Sequence, residues 1–191
     1  MSNLLPFLRS LSVTFSDEAW RQLQPALTEK TYKKNELLLK EGEICQALHF
    51  IENGYCRSYY DMDGIEKNTG FFFEGQVVTN ISSFGSNEPS AYNIIAGEPM
   101  SVIVFDKKIL FDIAGSNQEI EMLGRLCVRR FAAQQEEFSK LFQIYAAPER
   151  LEYLEAHHPK LLQRVSLSQL SSFLGVARET LSRIRKRRIA K

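Results

Sequence analysis

The sequence predicts an α+β protein made of three consecutive parts, and three observations carry this prediction. Residues 32–105 contain short segments rich in β-branched and aromatic residues, separated by turn signals, which is typical of a sandwich or barrel of strands. Residues 118–145 contain no proline and repeat apolar residues every three or four positions, which indicates one long helix. Two short amphipathic helices around a glycine end the chain, so we place the three parts at 1–117, 118–146 and 147–191.

The first part is expected to begin with a helix and to continue as strands. Ser16 is a favourable cap for a helix predicted over 16–27, in which Trp20 lies on the apolar side. The predicted strands cover residues 48–51, 55–60, 69–73, 92–96 and 100–105. Asn53-Gly54 and Asp63-Gly64 are favoured two-residue turns, so we expect a hairpin at each of them.

Composition limits the class of protein. The chain has 191 residues, of which 44% are hydrophobic, so it can build a globular core, and it lacks an apolar run of about 18 residues that would cross a membrane. Its first residues lack the basic start and apolar stretch of a secretion signal. Cys45, Cys56 and Cys127 are odd in number and far apart, so we expect no disulfide framework and no paired metal motif. We therefore expect a cytoplasmic protein with no membrane contact and no identifiable cofactor.

Charge is distributed unevenly along the chain. Residues 148–191 carry 10 Lys and Arg against 4 Asp and Glu, a net charge of +6, whereas residues 1–147 carry 14 against 19, a net charge of −5. A basic module on an acidic body is typical of proteins that bind nucleic acid at one end. The basic tail at 185–191 could contact phosphates or could simply keep the protein soluble, and both interpretations stay open.

The long helix has one apolar face that a single polar residue interrupts. Its members are Ile120, Leu123, Cys127, Phe131, Gln134, Phe138, Leu141 and Tyr145. At ~1.5 Å per residue the helix is about 40 Å long, which is longer than one domain is expected to cover. We therefore predict that this face is the seam of a homodimer. The alternative is a helix that lies wholly on its own β domain.

A further helix is predicted after the long one. Pro148 suits the first turn of a helix, and Pro159 disfavours helical geometry at the residue before it, so we expect this helix to end at about His158. His157 and His158 are potential metal ligands. No cluster of carboxylates or cysteines accompanies them, so we interpret them as the end of a surface helix and predict no metal site.

The end of the chain has the pattern of a helix-turn-helix. Ser166 and Gln169 have the spacing of a capping box at the start of the first helix, and Gly175 can adopt the positive φ that ends it. In the second helix, Leu181 and Ile184 lie opposite the charged residues at ~100° per residue. One face therefore packs on the first helix and the other faces outward, as in motifs that place their second helix in the major groove of DNA.

The outward face carries side chains that suit the recognition of DNA. The predicted base-reading residues are Arg178, Glu179, Ser182 and Arg183. Arginine can donate two hydrogen bonds to guanine, and glutamate can accept one from cytosine. The predicted phosphate contacts are Ser166, Ser168, Thr180, Arg185 and Lys186. From these residues alone, the alternative is a solvated face on an ordinary helical hairpin.

Taken together, these patterns resemble those of the Crp–Fnr superfamily of transcription regulators, over about residues 20–187. The matching segments are 32–38, 41–43, 48–51, 54–57 and 63–64 in the β region and 178–183 in the last helix. The resemblance implies an N-terminal jelly-roll sensor domain (a β-roll of the cyclic-nucleotide-binding type), a dimerisation helix and a C-terminal helix-turn-helix. It also implies that Glu179 and Arg183 are the main base readers, that Ser182 belongs to the Fnr-like Glu-x-x-Ser-Arg pattern, and that Arg178 contacts base or phosphate. The implied partners are a palindromic double-stranded operator, a second copy of the chain and RNA polymerase.

The sequence departs from the resemblance at the ligand site. Nucleotide-binding members have Gly-Glu and then an Arg-Ser or Arg-Thr pair in the segment that holds the cyclic phosphate. This chain has Thr79-Asn80 and Ser90-Ala91 there, with no Arg between Lys67 and Lys107. The candidate effector-pocket residues are Thr79, Asn80, Ser90, Ala91 and Tyr92. We expect that cyclic AMP does not bind, since its phosphate would lack a cationic partner.

Two further departures concern the two ends of the chain. The N-terminal cysteine cluster of iron–sulfur Fnr proteins is absent, since the first cysteine is Cys45. The recognition helix runs almost to the last residue, so we expect the wing of the DNA-binding domain to be reduced or absent.

The sequence thus predicts a sequence-specific, homodimeric DNA-binding transcription regulator that is not an enzyme and that senses an unknown small-molecule effector in its β-roll. One alternative is a β-roll protein whose helix-turn-helix contacts another protein. The other is a cupin-like metalloenzyme, which would need several histidines on strands, whereas only His49 lies in the β region.

Overall fold

The structure, a computed structural model, describes residues 3–189, with the side chains of the last helix as far as Arg185. Two helices come first, α1 (Leu4–Leu11) and α2 (Asp17–Leu23). The hydroxyl of Ser16 accepts a hydrogen bond from the Ala19 N–H at 3.1 Å, which confirms the predicted cap. The predicted end of this helix is wrong. Residues 24–26 form a 3₁₀ turn around Pro25, and the chain enters the first strand at residue 27.

Eight strands follow within the described residues, and they form two sheets. The strands are β1 (Leu27–Tyr32), β2 (Leu37–Leu39), β3 (Ala47–Asn53), β4 (Cys56–Met62), β5 (Ile65–Phe72), β6 (Val77–Val78), β7 (Asn93–Ala96) and β8 (Met100–Asp106). The first sheet has the order β1-β8-β3-β6 and the second sheet the order β2-β7-β4-β5, and all pairings are antiparallel. A short helix, α3 (Ile81–Ser86), lies between β6 and β7, and α4 (Lys107–Ala114) follows β8. The predicted roll of two strand layers is confirmed.

The two predicted hairpins have different outcomes. At Asp63-Gly64 the prediction is confirmed, because Met62 pairs with Ile65 and both turn residues have positive φ, 54° and 84°. At Asn53-Gly54 it is wrong, because β3 belongs to the first sheet and β4 to the second. Gly54, with φ of 90°, lets the chain cross between sheets where a Cβ would lie 2.5 Å from the Met100 Cβ.

The second half of the chain is helical. Its helices are α5 (Gln118–Ile144), α6 (Ala147–His157), α7 (Pro159–Arg164), α8 (Leu167–Leu174) and α9 (Arg178–Ile189). The predicted long helix and the predicted break before Pro159 are confirmed, but Pro159 then opens α7, which the sequence pattern did not reveal. No strand follows β8 in the part of the chain that the structure describes. None of the helices within residues 3–189 combines the length and the apolar character needed to span a membrane.

Buried side chains form three clusters. The roll core lies between the sheets and includes Ile51, Cys56, Ile94 and Val102. A second cluster joins the outer side of the first sheet to α1, α2 and the start of α5, and it includes Leu4, Leu23, Phe50, Ile103 and Ile120. The third, the helix-turn-helix core, includes Phe71, Leu141, Leu151, Leu154, Phe173 and Leu181. It joins the end of α5 and the C-terminal helices to the outer side of the second sheet.

The apolar face of α5 does not form the predicted seam. Ile120 and Leu123 are buried in the second cluster against α1 and α2, and Leu141 is buried in the helix-turn-helix core. This face of the helix therefore packs within its own chain. The prediction that it forms the seam of a homodimer is wrong. The physical reason is α1, which the sequence analysis did not identify and which covers the face near its N-terminal end. Elsewhere on α5, Met122 and Val128 are exposed, and they are 49% and 55% accessible.

Candidate DNA-binding surface and effector region

The predicted helix-turn-helix has the local geometry that its sequence indicates. The Ser166 hydroxyl accepts a hydrogen bond from the Gln169 N–H at 3.2 Å, and the Gln169 side chain accepts one from the Ser166 N–H at 3.3 Å. Gly175 ends α8 with φ of 71°, a conformation that costs glycine little. Leu170, Leu174 and Leu181 are fully buried between the two helices and the rest of the core. The capping box and the glycine turn are therefore confirmed.

The predicted base-reading residues lie on the accessible side of α9. Arg178, Glu179 and Arg183 are exposed, and Ser182 is half-buried. Arg183 Nη2 donates to the Thr180 hydroxyl at 3.2 Å, so the guanidinium is held close to the helix surface. The cations and the carboxylate offer donors and an acceptor on one surface, which is the chemistry required at base edges in the major groove.

The predicted phosphate contacts lie around this surface. Ser166 and Ser168 are exposed at the start of α8, although the Ser166 hydroxyl also serves as the cap. Thr180 and Arg185 are half-buried, and the side chain of Lys186 lies outside the described residues. Backbone N–H groups and hydroxyls at a helix start are suited to phosphate oxygens.

A second set of residues, missed by the sequence analysis, joins α8 to the roll. The Ser172 hydroxyl donates to the Glu66 carbonyl oxygen at 2.7 Å and accepts from the Asn68 N–H at 3.1 Å. Both groups belong to β5, which is the outermost strand of the second sheet. Phe173 packs edge-on against Phe71 of the same strand, with ring centroids 5.4 Å apart. The first helix of the helix-turn-helix is therefore docked on the edge of the roll.

Arg150 stabilises the junction between α5 and this module. Its guanidinium donates to the carbonyl oxygens of Phe142, Tyr145 and Leu174, at 2.7–3.1 Å. These carbonyls lie at the C-terminal ends of two helices, where they lack intrahelical partners. No signal in the sequence indicates this role, because the three acceptors meet only in the folded chain.

The predicted effector residues lie together around α3, but their polar groups already have partners. The Asn80 side-chain amide donates to the Ser90 hydroxyl at 2.8 Å, and the Ser90 hydroxyl donates to the Tyr92 carbonyl oxygen at 2.6 Å. Thr79 donates to the Ala47 carbonyl oxygen at 3.0 Å. Ala91 is exposed, whereas Thr79, Asn80 and Ser90 are at most 5% accessible. The side chains of the buried members therefore each have at least one hydrogen-bond partner inside the protein.

His49 is a histidine buried in the roll. It is 6% exposed on β3, and its Nε2 lies 3.2 Å from the Tyr32 hydroxyl. Burial, followed by the positive charge of Lys30, lowers the pKa of His49 to about 4, although a backbone hydrogen bond with Val78 opposes the shift. The imidazole is therefore neutral at neutral pH and cannot serve as the cation for a cyclic phosphate.

Two cavities lie away from the predicted effector region. A small one of about 30 Å³ lies between α1, the start of β6 and α5, next to Phe7, Val77 and Cys127. An open cleft of about 320 Å³ lies by Glu29, Glu52 and Ser101 of the first sheet. Across residues 3–189, no group of three or more His, Cys, Asp or Glu is placed to hold a metal ion. His157 stacks on Tyr153, with ring centroids 4.2 Å apart.

Comparison with known proteins identifies the domain and the fold. Residues 29–117 match the model of the cyclic nucleotide-binding domain family. FixK2 from Bradyrhizobium japonicum is similar in structure, with a TM-score of 0.71 and 23% identity over 84% of this chain and 83% of that one. The catabolite activator protein of Thermus thermophilus has a TM-score of 0.54 and 17% identity, over 92% of this chain and 84% of its own.

A third similar structure covers a smaller share of the chain. The N-terminal domain of a transcriptional regulator from Streptomyces coelicolor has a TM-score of 0.55 and 19% identity, over 68% of this chain and 95% of its own. A comparison with curated proteins finds no match. At these identities the structural likenesses establish the fold. The resemblance seen in the sequence is confirmed for the fold: residues 29–117 match the cyclic nucleotide-binding domain model, and the chain has the fold shared by FixK2 and the catabolite activator protein.

Proposed function

We propose that this protein is a sequence-specific DNA-binding transcription regulator of the Crp–Fnr type and not an enzyme. The observation that carries the proposal is the exposed face of α9, where Arg178, Glu179 and Arg183 stand on a correctly capped helix-turn-helix. The net charge of +6 over residues 148–191 favours a polyanionic partner. The fold supports the same conclusion, because the similar structures include a transcriptional regulator and a catabolite activator protein.

In this proposal the residues of α9 have distinct roles. Arg183 and Arg178 donate to guanine edges, Glu179 accepts from cytosine, and Ser182 adjusts to either base. Ser166, Ser168, Thr180, Arg185 and Lys186 bind the phosphate backbone. The first group would set the sequence preference, and the second would set the affinity for any DNA and its dependence on salt.

The regulator would act as a homodimer that contacts a palindromic operator. Because the predicted seam of α5 is used within the chain, we assign the dimer contact to the exposed side of this helix. That side carries Gly124, Val128 and Ala132, which are exposed and spaced four residues apart, and the two small residues allow close approach of a second helix. A two-fold arrangement would place the two α9 helices about 34 Å apart, one turn of DNA.

We further propose that cyclic AMP is not the effector. Residues 68–106 contain no Lys or Arg, and the buried polar groups of Thr79, Asn80 and Ser90 are engaged with one another or with the backbone. An effector of another chemical class would act by shifting the population between arrangements of the two helix-turn-helix modules.

The test is selection of a binding site from random DNA, followed by affinity measurements with two variants. Arg183→Ala is expected to lose ~1–3 kcal/mol on the selected site and to lose discrimination at one guanine. Lys186→Ala should weaken all sequences alike and lower the salt slope by about one. If no sequence is enriched and binding to DNA is absent at low salt, the helix-turn-helix contacts a protein instead. Retention of the full sequence preference by Arg183→Ala would refute the role given to this residue.

A further inference from the structure

Three turns at one end of the roll converge on a single arginine. Arg164, the last residue of α7, donates from Nη1 to both carboxylate oxygens of Glu74, at 2.8 and 2.9 Å, and from Nη2 to Glu98. Its guanidinium also lies 5.4 Å from the ring centroids of both Tyr55 and Phe73. A planar cation with several donors can make all of these contacts at once, which lysine cannot do.

These turns have one property in common: each joins the first sheet to the second. The turn before Tyr55 connects β3 to β4, the turn that contains Glu74 connects β5 to β6, and the turn that contains Glu98 connects β7 to β8. Glu74 also accepts a hydrogen bond from the Gly54 N–H at 3.1 Å, which links two of the turns directly. Arg164 therefore contacts three connections between the two sheets, and a shift of one sheet against the other would move these contacts.

The electrostatics favour a stable contact. Both partners are partly buried, with 25% of the Arg164 side chain and 24% of the Glu74 side chain accessible, so solvent screens this pair less than a surface pair. Partial burial opposes ionisation of Glu74, but hydrogen bonds from the backbone, Arg164 and Lys160 outweigh it and lower the pKa of this carboxyl. The carboxylate is therefore ionised at neutral pH.

Arg164 is only two residues from the cap of α8. Val165 alone separates it from Ser166, so the position of the arginine determines where the helix-turn-helix begins. The second attachment is at Ser172, which binds the backbone of β5. With α8 held at both ends, the base-reading side chains Arg178, Glu179 and Arg183 remain exposed. The docked arrangement thus leaves the DNA-binding surface open.

We propose that Arg164 is a positioning residue that clamps the helix-turn-helix to the three inter-sheet turns and holds α9 in the orientation used for DNA. This inference rests on the proposed function for its DNA readout only. A dimer whose two modules are held in place binds both half-sites with little loss of freedom, whereas freely moving modules lose that advantage. The clamp therefore contributes to affinity for a full palindrome and not to affinity for a single half-site.

The experiment uses the full-length protein with Arg164→Gln. A second variant, Glu98→Gln, removes the negative charge from one partner of Arg164 and leaves its pair with Glu74 in place. Lys160→Gln is the matched control, since Lys160 pairs with Glu74 from a side chain that is 58% accessible. The first measurement, made without DNA, is hydrogen exchange at the Asn68 amide, whose hydrogen bond goes to Ser172. The second is affinity for the selected palindrome and for a half-site.

For Arg164→Gln and Glu98→Gln we expect faster exchange at Asn68 and roughly tenfold weaker binding of the palindrome, with half-site affinity within about twofold of wild type. Lys160→Gln should resemble wild type in both measurements. Unchanged exchange and unchanged palindrome affinity in both variants would overturn the proposal, and so would tighter binding of the palindrome. If the wild-type protein binds no DNA, the proposed function fails, while exchange at Asn68 still decides whether Arg164 is the clamp.

Discussion

The buried histidine of the roll should make the stability of the protein depend on pH. His49 has an ordinary pKa of 6.5 when the chain is unfolded and a pKa of about 4 in the folded protein, because burial and the charge of Lys30 disfavour its charged form. Between these values the unfolded chain binds a proton that the folded protein does not bind. The free energy of unfolding therefore falls as pH decreases from 6.5 towards 4.

The magnitude follows from the size of the shift. A difference of about 2.5 pH units at ~1.36 kcal/mol per unit corresponds to about 3 kcal/mol when the full shift has been traversed. At about pH 5 most of this effect, about 2 kcal/mol, should already be lost relative to about pH 7.5. This is a large fraction of the stability of an ordinary domain.

The assay is urea unfolding of the wild type and of His49→Gln at about pH 7.5, 6 and 5. The variant removes the titration, so the difference in free energy between wild type and variant should change by about 2 kcal/mol over this range. His157→Gln, on an exposed helix end, is the control and should keep the dependence of the wild type. A constant difference between wild type and His49→Gln would refute the conclusion that His49 is held neutral by the roll core.

Three other predictions concern packing, assembly and ligand. Phe173→Ala should lower the free energy of unfolding by about 3–5 kcal/mol, because Phe173 is buried among three aromatic rings. The control Phe111→Ala, at a side chain that is 52% exposed, should lower it much less. Similar losses in the two variants would contradict the role of Phe173. Val128→Glu should convert the dimer to a monomer, as measured by sedimentation. The control Val13→Glu, at a side chain that is 95% exposed, should remain dimeric. A wild-type protein that is monomeric at micromolar concentration would refute the dimer. Calorimetry with cyclic AMP should detect no binding at physiological concentrations, and a dissociation constant in the low micromolar range would show that the roll supplies a phosphate partner we have not identified.

The features that the sequence predicted correctly depend on neighbours in the chain. The capping box of Ser166 and Gln169, the turn at Asp63-Gly64 and the long helix at 118–144 are each specified by residues a few positions apart. Hydrogen-bond capping, positive φ and helical periodicity act over that distance, so the pattern alone is sufficient. The exposure of Arg178, Glu179 and Arg183 followed from the same periodicity.

The features that the sequence could not predict depend on contacts between distant residues. Asn53-Gly54 has the composition of a hairpin turn, yet the close approach of Met100 and the separate sheets of β3 and β4 make it a crossing. Phe138 has the spacing of a dimer seam, yet it packs against Phe173 and His158 of its own chain. In both cases two arrangements satisfy the local pattern equally well, and only the packing of the whole chain distinguishes them.

The sequence by itself therefore determined the order of the parts, the helix-turn-helix and the chemistry of its outward face, because these follow from local propensity and periodicity. Only the tertiary structure decided that α8 docks on the edge of β5 and that Arg164 binds three turns of the roll. It also decided that the polar groups at Thr79, Asn80 and Ser90 are used internally. Burial removes water from each of these sites, and the partner that replaces it comes from a distant part of the chain, which no local pattern specifies.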